Sequence, residues 1–234
     1  MAISIRKFDP ETAGLGHWGT ILASDVLPEG IKAPFEHQYG YLRNNGTMGG
    51  HAHPTDEIYI VLSGTGYVVV NGKNKAVRAG DVIAIPPNEW HTMMCTDRDE
   101  APFLWAALWW EHIGPPIPQE ALKTIHVRRF EKEKAQAAHG GTILAAPVVP
   151  DLLQCPFGHA YGYVENGGVM EEHAHPTVEI YVVYEGNGTI VIDGEEAPIG
   201  PGDVIAIPSN AQHSLKAPAQ GGLLWAAFWW DPQA

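Results

Sequence analysis

The segment His51-Ala-His53-Pro-Thr-Asp-Glu57 sets two imidazoles and a carboxylate at alternating positions. Side chains alternate faces along an extended chain, so residues 51, 53 and 57 share one face. His91, following Gly80-Asp-Val-Ile-Ala-Ile-Pro86, supplies a fourth donor from a later strand. A second complete set follows in His173, His175, Glu179 and His213. Three neutral nitrogens and one anionic oxygen suit a divalent metal, Fe or Mn first, with Ni, Zn, Co and Cu also within range. Two metals per chain are therefore expected. Four protein ligands on a six-coordinate ion leave two positions for water or substrate, as catalytic sites do and closed structural sites do not. A divalent ion beside one carboxylate carries a net charge of about +1, which favours an anionic or chelating substrate oxygen.

Both sets lie in a chain that contains itself twice. At a shift of 122, residues 3–91 fall on residues 125–213 without a gap, and 44 of the 89 positions are identical. Leu-Trp-Ala-Ala-Leu-Trp-Trp (104–110) then falls on 224–230 at a shift of 120. A period this long marks a duplicated domain rather than a solenoid. The expected units are residues 1–115 and 116–234, joined through the proline-rich stretch 111–120.

Each unit reads as strands. Residues 67–71 and 82–85 are short apolar runs closed by Asn71-Gly72 and Pro86-Pro87, a hairpin and turn pattern. Only 9–13 and its counterpart 131–138 suggest a short helix. The expected class is all-β, with each unit closing into a barrel that removes its sheet edges.

Composition narrows the partners. A formal charge of −13 opposes binding to nucleic acid or to an anionic membrane. Two cysteines at unrelated positions, Cys95 and Cys155, fit a reducing compartment rather than a disulfide framework. The opening MAISIRKFDPE lacks an apolar core, and no apolar run reaches 18 residues. A cytoplasmic protein with a small-molecule substrate is expected.

The donor sets also carry a family resemblance. His51, His53, Glu57 and Gly64, with Gly80, Pro86 and His91, resemble the two cupin motifs, and His173, His175, Glu179 and Gly186, with Gly202, Pro208 and His213, resemble them again. Asn88 and Asn210 stand where the motif has glycine, Cys95 and Ala217 where it has asparagine, and one residue fewer separates Gly46 from His51. These departures touch turns and not ligands. The resemblance is to a bicupin and implies two tandem jelly-roll barrels, each with a metal inside, in a protein that pairs into homodimers. Cupins host many chemistries, so function rests on the site. The first expectation is a non-haem dioxygenase-type enzyme acting on a small oxygen-rich metabolite. The alternatives are a redox-neutral lyase, decarboxylase or isomerase, and a metal-dependent binding protein without turnover.

Further residues are candidates for proton handling. Strand alternation puts Phe35, His37, Tyr39 and Tyr41 on one face, and Phe157, His159, Tyr161 and Tyr163 on its counterpart. The expectation is that these faces look into the barrels, with His37, Tyr39, Tyr41, His159, Tyr161 and Tyr163 as catalytic groups. His17 and His139 are expected to cap or pack, residues 104–110 and 224–230 to form barrel wall or subunit interface, Asp81 and Asp203 to serve turns, and Glu100 and residues 131–134 to be solvated.

Overall fold

The computed structural model describes residues 3–43, 45–95 and 102–233; Glu100 lies outside them. The first unit runs through β1 (Ile5–Arg6), β2 (Gly14–Gly16), β3 (Ile21–Ser24), β4 (Glu36–Leu42), β5 (Thr55–Ser63), β6 (Thr65–Val70), β7 (Lys73–Arg78), β8 (Val82–Ile85), β9 (His91–Cys95) and β10 (Phe103–Glu111). The second repeats it as β11 (Val127–Arg128), β12 (Gln136–Ala138), β13 (Ile143–Ala146), β14 (Gly158–Val164), β15 (Val178–Glu185), β16 (Gly188–Ile192), β17 (Glu195–Ile199), β18 (Val204–Ile207), β19 (His213–Lys216) and β20 (Leu223–Trp230). The described residues include no α-helix and no helix long and apolar enough to cross a membrane. Where short helices were expected, 9–13 is a turn and Lys132–Lys134 a single 3-10 turn. Each unit is a seven-stranded sheet facing a three-stranded one, ordered β11-β8-β5-β10-β4-β3-β2 with β7-β6-β9, and β1-β18-β15-β20-β14-β13-β12 with β17-β16-β19.

The orders show a reciprocal exchange. β1 of the first unit pairs with β18 of the second, and β11 of the second pairs with β8 of the first. Charge follows backbone: Arg129 reaches Asp81 at 2.5 Å and Lys7 reaches Asp203 at 3.3 Å. Each aspartate does serve its turn as expected, Asp81 accepting from the Arg78 N–H and Asp203 from the Gly200 N–H, and each also binds the other half.

Turn chemistry accounts for the hairpins. Asn71-Gly72 and Asp193-Gly194 both sit at positive φ, as a two-residue hairpin turn requires. Asn88 (φ 64°) and Asn210 (φ 62°) adopt the left-handed conformation, which asparagine tolerates far better than a branched residue.

Alternation divides the core in three. Inward residues such as Tyr59, Val61 and Trp105 fill the first barrel, and Tyr181, Val183 and Trp225 fill the second. The opposite faces of the same strands, with Ile58, Ile60 and Ala106 against Ile180, Val182 and Ala226, form one shared core between the barrels. Phe35 meets Phe157 there with ring centroids 5.0 Å apart. Trp110 and Trp230 cross over, their indole N–H groups donating to the Gln154 and Lys32 carbonyls at 2.8 and 2.9 Å. The aromatic strands thus supply both barrel wall and inter-barrel interface.

Candidate metal centres

In the first barrel the donors come from three pieces of chain. Glu57 lies in β5, His91 opens β9, and His51 and His53 sit on an arm leading past Pro54 into β5. That arm is not a continuous strand. A bridge fixes it instead: the His91 N–H donates to the His51 carbonyl at 2.8 Å, and the His51 N–H donates back at 3.1 Å. Ring atoms of His51, His53 and His91 lie within 4.8 Å of one another, as do those of His173, His175 and His213. His53 Nε2 lies 3.0 Å and His91 Nε2 3.2 Å from Glu57 Oε2, and the matching distances to Glu179 are 3.1 and 3.4 Å.

Outer contacts orient the rings. His51 Nδ1 faces the Gly49 carbonyl at 3.2 Å and His91 Nδ1 the Glu89 carbonyl at 2.8 Å. His173 and His213 repeat this with the Glu171 and Ala211 carbonyls, both at 2.9 Å. A proton held on Nδ1 by a carbonyl leaves Nε2 as a lone pair aimed inward. Thr55 and Thr177 hydroxyls stand 2.7 Å from His53 and His175 Nδ1.

The buried nitrogens test whether a metal fits. His91 and His213 are fully buried, yet their Nε2 atoms have no hydrogen-bond partner. An unpaired polar atom in a barrel core is costly unless something else engages it. A divalent cation at the centre of each cluster would do so, and the donor chemistry fits it.

Electrostatics agree. Burial pushes the Glu57 carboxyl up, but the adjoining imidazoles of His53 and His91 outweigh it and hold the group at about 2. Glu179 is likewise lowered, burial again being outweighed by His175 and His213. Burial, then the neighbouring His91 and His17, lowers His51 to about 4. His53 and His175 move up because they hydrogen-bond to the carboxylates. Both carboxylates are thus ionised at neutral pH, as ligands must be.

A cavity of about 340 Å³ opens onto the first centre, its wall including Gln38, Trp105, Ala107, Trp109 and His17. This corrects the expected facing of β4. Gly40 faces Trp105 across the pair β4–β10, whereas Tyr39 opposes Ala106 on the inter-barrel side. Tyr39 borders the cavity, but its ring packs edge-on against Phe8 in the shared core. His37 and Tyr41 share its parity: His37 Nδ1 accepts from the Val26 N–H at 3.2 Å, and Tyr41 stacks on Phe8 and bonds to Arg43. His159, Tyr161 and Tyr163 repeat the arrangement, with His159 accepting from Val148 and the two tyrosines packed on Phe130. The six expected catalytic side chains, three in each copy, therefore lie on the face away from the clustered histidines, because the inward positions of β4 and β14 are the intervening ones.

Other residues take the inward places. Tyr59 and Tyr181, two positions beyond the glutamates, share their face; burial first, then the nearby carboxylate, keeps both phenols well above the ordinary value. The spacing Glu-x-Tyr was a readable signal, as was the repeated His-x-His-Pro-Thr. His17 is a cavity residue rather than a cap, its ring 4.6 Å from that of His51, and His139 lies 4.2 Å from His173. Both hold left-handed backbone (φ 46° and 48°), strain of roughly 1–3 kcal/mol for a non-glycine residue.

Comparison with known proteins places the chain. The model of the Cupin domain matches residues 41–107 and again 161–229, more than half the sequence. The chain belongs to the cupin family. It is a bicupin, and its similarity to solved structures is of the same kind. It resembles the salicylate 1,2-dioxygenase from Pseudoaminobacter salicylatoxidans, solved as an adduct with gentisate, at 17% identity and a TM-score of 0.72, covering 99% of this chain and 82% of that one. A Pseudomonas aeruginosa protein bearing the name glyoxylate induced protein matches at 16% identity and a TM-score of 0.74, covering 97% and 88%. Protein Ylba from E. coli matches at 13% and 0.67, covering 97% and 90%. At such identities the likeness is one of fold.

Proposed function

We propose that this bicupin is a metal-dependent enzyme acting on a small chelating, oxygen-rich substrate, with a non-haem dioxygenase-type reaction as the first reading. The observation that carries it is the cavity of about 340 Å³ lying directly on a cluster of three imidazoles and a carboxylate. A structural metal has no use for such an approach. In this reading His51, His53, Glu57 and His91 hold one ion, His173, His175, Glu179 and His213 hold the other, and iron or manganese is the resident metal. The ion supplies Lewis-acid and redox chemistry to substrate oxygens when bound. The chain supplies the remainder. Glu57 stays ionised and keeps the centre only weakly positive, Gln38 offers an amide to a substrate oxygen, and Trp105, Ala107 and Ile21 exclude water from the inner cavity. Exclusion of water strengthens every charge interaction there.

His17 favours a second reading. Burial lowers it, so it stands neutral at the cavity wall and can accept a substrate proton, as a lyase or isomerase needs. One experiment separates the two. Protein loaded anaerobically with Fe(II) is mixed with small hydroxy acids and diols, with and without oxygen. Oxygen uptake that depends on substrate, and its loss on Zn(II) replacement, supports the dioxygenase; turnover that persists without oxygen and falls in His17→Gln supports the second. A protein that binds no such acid and turns over none refutes both.

A further inference from the structure

The cavity on the first centre can be compared with its counterpart position by position. Thirteen residues line it, and twelve of them recur unchanged in the second barrel at the shifts that relate the copies. Over the gapless part of the repeat only 44 of 89 positions are identical, so even divergence would have altered about half of the lining. Both barrels therefore present almost the same groups to a ligand. The single exchange is Gln38, whose counterpart is Ala160.

The strands put these two residues in the same place. Gln38 opposes Ala107 across β4 and β10, and Ala107 opposes Tyr59 across β10 and β5. In the second barrel Ala160 opposes Ala227, which opposes Tyr181. Strand β4 thus stands two strands from β5, which carries Glu57, at a spacing of roughly 10 Å. Ala107 puts only a methyl group between them, so a ligand held at the histidines and Glu57 can reach across to Gln38. Among the described residues the Gln38 amide has no hydrogen-bond partner. It faces the cavity on the same side as Trp105 and Trp109, whereas Ala160 and Ala227 offer two methyl groups at the matching spot.

We propose that Gln38 and Ala160 set the substrate specificity of their barrels: the first selects a chelating hydroxy acid with a hydrogen-bonding group at its far end, the second the same acid ending in an alkyl group. This rests on the open-metal reading above and adds to it what separates the ligands of the two sites. A carboxamide left facing an alkyl group loses its hydrogen bonds to water without replacement, so the first barrel disfavours that end. At Ala160 the balance reverses, because an alkyl end packs favourably against methyl groups and a hydroxyl meets no amide. Neither selection touches the donor set, so one reaction runs on two related substrates.

The test uses the full chain loaded with Co(II), whose visible absorption reports entry of an oxygen ligand. His175→Ala confines the metal to the first barrel, and His53→Ala confines it to the second. Each is titrated with two acids of equal charge and similar size, 2,4-dihydroxybutanoate and 2-hydroxypentanoate. Equal charge cancels the influence of the exposed Glu171 and Glu172 beside the second cluster, so the ratio of affinities reports on the far end alone. The first barrel should prefer the dihydroxy acid about tenfold, and the second the alkyl acid about fourfold. Gln38→Ala should give the first barrel the preference of the second, and Ala160→Gln should give the second that of the first, with Co(II) content unchanged. The same ranking in both barrels, or exchanges that leave the rankings where they were, overturns the inference while leaving chelation at an open metal intact. Binding of neither acid to protein that retains its Co(II) instead refutes the open-metal reading, and the inference with it.

Discussion

Strand β4 shows two faces with different histories. Its outward face carries His37, Tyr39 and Tyr41, and β14 repeats all three as His159, Tyr161 and Tyr163. Its inward face carries Gln38 and Gly40, of which β14 keeps only the glycine, as Gly162 beneath Trp225. The set retained in both copies is the one at the core the copies share. The set that differs is the one lining the cavity. Retention across an internal repeat therefore marks a common structural surrounding as readily as common chemistry.

The contrast can be broken most sharply at the metals. His53→Ala should reduce two bound ions per chain to one, and His53→Ala with His175→Ala to near none, measured by elemental analysis after reconstitution. Metal held by the double variant would show that Nε2 of these residues is not a ligand. Next in size, Phe157→Ala removes a ring from the shared core and should lower stability by about 3–5 kcal/mol, with metal content unchanged. A denaturant titration checks it, and loss of metal at unchanged stability would contradict the division of faces. Thr55→Val should weaken the first metal about 10–100-fold by releasing the orientation of His53, read from competition with a chelator.

Smaller effects follow from proton binding. In the metal-free protein His53 and His175 lie above their ordinary value near 6.5 through their hydrogen bonds to Glu57 and Glu179. Their contribution to stability is full below the unfolded value and is lost as pH rises through the folded one. Metal binding needs them neutral, so affinity should rise over the window in which the metal-free melting temperature falls by a few degrees. Glu57 has the opposite sign, contributing above its unfolded 4.5 and losing that contribution as pH falls toward about 2. Melting and metal titrations from pH 6 to 8 that move in the same direction would contradict this assignment. Smallest of all, Tyr39→Phe and Tyr161→Phe delete buried hydroxyls that have no hydrogen-bond partner, and should change stability by no more than about 1 kcal/mol, without loss of turnover. A large loss of activity would return the outward face to the chemistry.

Much of this was legible before the structure. The repeat, the eight donors, the hairpins at Asn71-Gly72 and the barrel class follow from spacing and turn chemistry, which act locally. Parity of β4 did not follow, because alternation names two sets without saying which faces inward; β10 decides that, by setting Gly40 against Trp105. Nor did His17 read as a cavity residue, or Trp18 as its exposed neighbour. Their placement depends on left-handed backbone at both positions, and neither residue type announces that conformation. The double service of Asp81 was hidden for another reason, since its partner Arg129 lies in the other copy.

The exchanged strands have a consequence for the order of assembly. β8 receives its outer neighbour from Val127–Arg128, and β18 receives its own from Ile5–Arg6. During synthesis the first barrel's sheet stays open at one edge until residue 128 has emerged, and an open edge is a template for unwanted pairing. Split near residue 115, each fragment would carry its neighbour's missing strand and lack its own. The two should be poorly soluble apart and recombine when co-expressed, as in donor-strand complementation. The covalent connection turns that meeting into an intramolecular one at an effective concentration of order millimolar. It also ties the barrels into a single unfolding transition, so calorimetry should show one peak, and two separable peaks would mean that each barrel can close without its neighbour's strand.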